Sequence, residues 1–567
     1  MGGRSDVSEP GGRANQGPRL LGRRRLLALA VGGPVLEATI LWAVGLETAL
    51  GIAPQATAPA PFDVFHDLRW LLVYHRSWVG LALEALAFVA FRTVLTAYMV
   101  RSAWPKGEDP PPLRRALVHS ALFVLGTAVL MSPWVALLFG MAIVSISWLF
   151  FVALPGMLVV AVLVHHGAVE RGWWRHMPPL RTVGWVGLTF VALSAGGAIL
   201  SVSPPLLRLP VAAATGLFNA WAWLGIVHAI AERPAPRFIP LAPAGIAAFL
   251  VIVVGGTTLG FESVAGRAEL AHAVRGARLS HQTGKPVLIV SGFGTHWEGD
   301  GHRWLPGPYD ERRFSYRGVG DDGEPLAYSE GDTHRSLRDL DRLMAAQVDA
   351  FHAATGRPVS IVAESEGSLV AKTYLTARPG APVDELILLS PLVRPARVYY
   401  PPGGHQGWGV AAGFELQGLT AGLRVISPID LTPDTPLLRS IADNAPLVRD
   451  LLTCPLPGVH QLALFPLADA VASPHPSAVG IPASVVPAFH GGLLSSGAVH
   501  KTIALRLDGG RAPSFNAWSV VERVVRVASS AWQVPPLPLS INPAWGHPPG
   551  RTPSCASMAA VLRTWVE

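Results

Sequence analysis

The chain has 567 residues, half of them hydrophobic and only 15% charged, where soluble domains carry about 25% charged residues. That deficit argues against a wholly soluble protein and for one that lives in a membrane. The net charge of +7 belongs to the apolar half, since residues 1–261 hold 19 Lys and Arg against 11 Asp and Glu. The excess therefore reads as a topology signal and not as a nucleic-acid footprint.

Residues 1–25 are rich in Gly and Arg and read as a disordered cytoplasmic tail ending in Arg23-Arg24-Arg25. Apolar segments of membrane-spanning length, about 20 residues, follow near 26–50, 78–100, 116–138, 141–163, 183–203, 210–231 and 238–259. The expected bundle of about seven transmembrane helices occupies residues 26–260. Arg24-Arg25-Leu26-Leu27 has the look of an export signal, but Glu37 and Glu47 interrupt the apolar run, so a retained first helix is the reading adopted. With the N-terminus cytoplasmic, the cytoplasmic segments collect fifteen Lys and Arg, while the opposite loops hold only Arg69, Arg76 and Arg208. This is the bias of the positive-inside rule, and an odd number of spans places everything after residue 260 outside the cytoplasm. Glu37, Glu84, Arg92, His119 and His228 lie at membrane depth, where charge is costly. Glu84 and Arg92 are two turns apart and share a helix face. A polar contact between packed helices is the expected use.

A linker is expected at 261–284. From 285 the texture changes to short β runs, Gly-rich turns and amphipathic helices. Strands are expected at 287–290, 313–316, 359–362, 386–389, 462–465 and 484–486, with helices between them. Leu337, Leu340, Met344, Val348 and Phe351 mark one apolar helix face. Such alternation implies an α/β domain over 285–567, its mostly parallel sheet covered on both faces. Residues 392–457, rich in Pro and Gly, break the pattern and read as a cap-like insertion carrying Leu416, Leu419 and Leu423.

The stretch Ser360-Ile361-Val362-Ala363-Glu364-Ser365-Glu366-Gly367-Ser368-Leu369-Val370 organises this half. A β-branched run stops at Ala363 and a helix-like run starts at Leu369, so the pattern predicts a sharp strand-to-helix turn with Ser365 at its apex. Ala363 and Gly367 supply the small residues that such a corner needs. The arrangement A-x-S-x-G resembles the G-x-S-x-G elbow of the α/β-hydrolase superfamily, over roughly 285–510. That family carries its nucleophile, a carboxylate and a His in that chain order. The resemblance implies Ser365 as nucleophile, Asp469 after the strand at 460–465, and His490 after the strand at 484–489. It also implies an oxyanion hole from the backbone N–H groups of Glu366 and of Phe293, in the loop Ser291-Gly292-Phe293-Gly294-Thr295. Gly292 and Gly294 would allow close approach of the backbone.

Rivals exist for two positions: His500 for the base, and Asp430 or Asp434 for the acid. Asp384 reads as surface charge. Glu364 and Glu366 flank the serine with two carboxylates, and Glu366 would oppose an oxyanion at the mouth unless it pairs with His296 or points to solvent. Cys454 and Cys555 are the only cysteines and form a candidate disulfide in an oxidising compartment. No C-x-x-C pair suggests zinc or redox chemistry, and no metal or cofactor is expected. The expected function is a multi-pass, membrane-anchored serine hydrolase with its α/β domain extracytoplasmic. Its partners would be the lipid bilayer and an ester-containing small molecule or lipid, with no nucleic acid. The alternatives are an acyltransferase modifying an envelope component, and a non-catalytic ligand-binding or sensor module.

Overall fold

The computed structural model describes residues 17–72, 74–75, 77–105, 109–140, 180–231, 284–299, 303–392, 407–408, 410–423, 435–448, 451–468, 480–510, 516–532 and 554–566. Packing divides them into two compact units: residues within 1–67, 84–129 and 157–246, and residues within 68–83, 130–156 and 247–567.

The apolar half contains α1 (Gly17–Ala43), α2 (Phe62–Leu71), α3 (Trp78–Ser102), α4 (Leu113–Gly140), α5 (Leu180–Val202) and α6 (Pro205–Ala231). Five described helices are long and apolar enough to cross a membrane: Gly22–Ala43, Trp78–Ser102, Leu113–Pro133, Leu180–Val202 and Pro205–Ala231. The spans expected at 141–163 and 238–259 lie outside the described residues, as does nearly all of the expected linker. Helix α1 begins at Gly17, inside the expected disordered tail, because the Leu and Arg residues of 19–27 are good helix formers.

In the first unit small residues let backbones meet. A Cβ on Gly216 of α6 would lie 2.6 Å from the Ala30 carbonyl oxygen of α1. A buried 3₁₀ stretch, Glu47–Thr57, is tied in through Asn219 Nδ2 to the Pro54 carbonyl (2.8 Å) and Trp223 Nε1 to the Thr57 carbonyl (3.0 Å). Arg92 turns its guanidinium onto both Asp67 oxygens, each at 2.5 Å, and Glu37 meets His66 Nε2 at 2.7 Å. The expected polar contact therefore runs from Arg92 to α2, whereas Glu84 is exposed.

The second unit is built on six parallel strands: β1 (Pro286–Val290), β2 (Asp310–Arg313), β3 (Val359–Glu364), β4 (Val383–Leu389), β5 (His460–Ala468) and β6 (Ala483–Phe489), in the order β2-β1-β3-β4-β5-β6. Successive residues face opposite sides of a strand, and both sides are apolar. Leu288, Val290, Ile361, Ala363, Leu386 and Leu388 enter one core, and Val287, Ile289, Val362, Ile387 and Leu389 the other. Helix α7 (Leu337–Thr355) is capped by Ser336 and ended by Gly356 at φ 66°. It sends the five residues of its expected face into the first core, joined by α8 (Glu366–Ala377).

Within the expected cap lie α9 (Val410–Leu423), which carries Leu416, Leu419 and Leu423, and α10 (Pro436–Asp443). The second half of that segment is core: Leu437, Ile441, Leu451, Leu452, Cys454 and Leu456 pack into the first cluster. The second core is closed by α11 (Gly497–Leu507). Then come α12 (Asn516–Ala528) and α13 (Cys555–Val566), the latter bonded to Cys454 by a disulfide. The second strand is Asp310–Arg313, three residues earlier than expected. Phe314 and Tyr316, which suggested a strand, are buried just beyond its end.

From β1 the chain moves outward to β2, then returns to the other flank of β1 as β3. Strand order reverses there, and the crevice beyond the carboxyl ends of β1 and β3 is where open α/β sheets bind ligands.

Candidate active site

Strand β3 ends at Glu364 and α8 begins at Glu366, which leaves Ser365 alone on the corner at φ 54°, ψ −115°. A left-handed φ strains any residue with a Cβ. The corner is held by Ser365 N–H donating to the Leu389 carbonyl (2.9 Å) and by Ser368, whose N–H (3.0 Å) and hydroxyl both donate to the Ser365 carbonyl. The tightness explains the small residues. A Cβ on Gly367 would lie 2.8 Å from Val290 Cγ1 and 2.9 Å from the carbonyl oxygens of Val290 and Ser291.

His490 is the first residue after β6, and its Nε2 lies 2.7 Å from Ser365 Oγ. The structure thus brings together two of the three expected side chains. Asp469 falls just outside the described residues. The last described residue of β5, Ala468, pairs with Phe489, the residue before His490. Asp430 and Asp434 also lie outside the described residues. His500, the rival base, is elsewhere engaged, with Nε2 2.5 Å from the Leu494 carbonyl. Asp384 accepts from Ser360 Oγ (2.8 Å) and faces Lys285 at 3.4 Å, at the amino ends of the strands and away from the corner.

The loop after β1 comes up against the serine. A Cβ on Gly292 would lie 3.0 Å from Ser365 Cβ. Four side chains hold this loop. Arg313 Nη2 donates to Ser291 Oγ (2.9 Å) and Tyr316 OH to the Ser291 carbonyl (2.5 Å). Thr295 Oγ1 donates to the Gly292 carbonyl (2.7 Å), and Thr333 Oγ1 accepts from Gly294 N–H (2.9 Å). Gly294 sits at φ +72°, and the Phe293 ring stacks on His334 at 4.5 Å. The Phe293 N–H has no backbone acceptor among the described residues. The Glu366 N–H heads α8, among the N–H groups a helix leaves unsatisfied.

The flanking glutamates differ from expectation. His296 is exposed and faces Glu330 at 4.0 Å, so it does not pair with Glu366. Glu366 is only 1% exposed, and among the described residues neither carboxylate oxygen has a hydrogen-bond partner. Burial alone pushes its carboxyl well above the usual range, which favours the protonated, neutral form. A neutral Glu366 would not oppose an oxyanion. Burial and the nearby Glu366 also raise the Tyr316 phenol well above its ordinary value. Glu364 is buried as well, and its Oε1 accepts the N–H groups of Leu493 (3.0 Å) and Leu494 (3.3 Å). Burial raises its carboxyl too, opposed by those two N–H groups and by His490.

Sequence reasoning missed Arg313, Tyr316 and Thr333 as supports of the loop. Nothing local marks them, because their partners are remote in the chain. Chemically, an imidazole nitrogen within hydrogen-bond reach can take the proton of a serine hydroxyl, and backbone N–H groups beside it can receive a developing negative oxygen. Among the described residues, no group of three or more His, Cys, Asp or Glu is placed to hold a metal ion.

No family model matches the chain, and no curated protein does. Among solved structures, the chain is similar to an esterase from Exiguobacterium antarcticum, with 17% identity, a TM-score of 0.26, and coverage of 40% of this chain and 93% of that one. It is also similar to a serine hydrolase from the polyaromatic hydrocarbon-degrading bacterium Cycloclasticus zankles, with 15% identity, a TM-score of 0.24, and coverage of 41% and 92%.

Proposed function

We propose that the chain is a membrane-anchored serine hydrolase that cleaves a carboxylic ester through an acyl-enzyme on Ser365. The observation that carries the reading is the 2.7 Å approach of His490 Nε2 to Ser365 Oγ at a strained strand-to-helix corner. His490 takes the hydroxyl proton as the oxygen attacks the ester carbonyl, and returns it to the leaving alcohol. Water, deprotonated by the same nitrogen, then releases the acid. The Phe293 and Glu366 N–H groups receive the oxyanion, a contribution worth about 10²–10³ in rate per donor. Asp469 is assigned to orient the imidazole, supported by the pairing of Ala468 with Phe489. The apolar helices anchor the chain, and a lipid-like ester is the favoured substrate class.

The test is labelling of the full-length protein in detergent by a fluorophosphonate probe. Labelling is expected in the parent and absent in Ser365→Ala. A folded parent that does not label would instead favour a non-catalytic binding module. Product analysis of a turned-over ester, with and without an added alcohol, separates hydrolase from acyltransferase.

A further inference from the structure

The residue just before Ser365 makes a contact that its position alone does not require. Glu364 closes β3, and its side chain is 5% exposed. It spends one oxygen on two backbone N–H groups, those of Leu493 and Leu494. Those residues lie three and four positions beyond His490. Between base and anchor stand Gly491, at φ +79°, and Gly492. A glycine pair gives the backbone wide freedom, so Phe489 in the sheet fixes only one side of His490. The other side is fixed where Leu493 and Leu494 meet Glu364. The contacts close a ring: Ser365 Oγ to His490 Nε2, along the loop to Leu493, across to the Glu364 carboxylate, and back through one peptide bond to Ser365.

We infer that Glu364 is a positioning residue, one that holds the His490 loop at a fixed distance from the serine and sets a negative charge near the imidazole. The inference rests on the proposed role of Ser365 and His490. Its reason is geometric. A misplacement of about 1 Å at a reacting group costs on the order of 10²-fold in rate. A loop hinged at two glycines would allow such a shift without the anchor. The backbone N–H groups of Leu493 and Leu494 are offered to a carboxylate in a low-dielectric site, where such bonds are shorter and stronger than neutral ones. Where ionised, the same carboxylate stabilises the imidazolium that forms when His490 takes the serine proton. Glu364 thus acts on the base twice, through the backbone and through the field.

The experiment measures the second-order rate of fluorophosphonate labelling, from pH 5 to 9, for the full-length parent, Glu364→Gln and Glu364→Ala. Glu364→Gln keeps an oxygen for both N–H groups and loses the charge. It is expected to label within a few-fold of the parent at its optimum, with the acid limb of the profile moved to lower pH, because removing a neighbouring negative charge makes the imidazole a weaker base. Glu364→Ala loses both contributions and is expected to label about 10²-fold more slowly. An acid limb that stays in place in Glu364→Gln overturns the inference, and so does Glu364→Ala labelling at the parental rate. Should Glu364→Ala fail to fold, the pH profile of Glu364→Gln decides alone, since a merely structural role would not move it. Failure of the underlying reading looks different: the parent does not label, or Ser365→Ala still does.

Discussion

At the scale of single residues, the corner at Ser365 was legible in the sequence, but the state of its neighbours was not. The β-branched run and the two small residues pointed to the serine corner, and the chain order of the resembled family pointed to His490. Glu364 and Glu366 read as charges, and charged residues are almost never fully buried, so nothing local announces that both lie inside. Glu366 makes a testable case. The folded chain holds its proton more tightly than the unfolded chain, where a Glu titrates near about 4.3. The stability it contributes is therefore complete below that pH, and is lost as pH rises toward the raised folded value. The loss approaches about 1.4 kcal/mol per pH unit inside that window. Glu366→Gln removes it, so urea unfolding of the variant should weaken less than that of the parent between pH 5 and 8. Parallel curves would mean that the carboxyl finds a partner when ionised.

Elements announced themselves in proportion to how apolar they are. Strands β1, β3, β4, β5 and β6 and the stripe on α7 follow directly from hydrophobic pattern. Strand β2 did not, because this edge strand is charged where the other edge strand, β6, is apolar. Asp310-Glu311-Arg312-Arg313 carries the charge that discourages a free edge from pairing with another chain, and charge hides a strand from any reading based on hydrophobicity. The expected cap was also drawn too large, because Pro and Gly mark turns as readily in a core segment as in a lid. Helix α13 is held in two ways. Met558 and Leu562 enter the first core, and Cys555 is bonded to Cys454, 101 residues earlier. Closing so long a loop restricts the unfolded chain, and replacing both cysteines with serine should lower stability by about 2–5 kcal/mol. Limited proteolysis of the variant should release α13 before the sheet is cut. Parental stability together with a protected helix would show that the two apolar side chains suffice to hold it.

The whole molecule carries a set of apolar helices and an α/β unit. The charge bias of the loops is the ground for proposing that the α/β unit lies at the outer face. A membrane-impermeant fluorophosphonate applied to intact cells is therefore expected to label Ser365, and labelling that appears only after lysis would refute that orientation. The bridge between Cys454 and Cys555 adds a consequence for biosynthesis. Strands β5 and β6 and helices α11 and α12 all lie between its two sulfurs. In an exported domain, the thiol oxidants of the outer compartment can join the pair only after that entire stretch has crossed the bilayer. The bridge would then record completed translocation, and a chain stalled partway through export would be recognisable by a free thiol at Cys454.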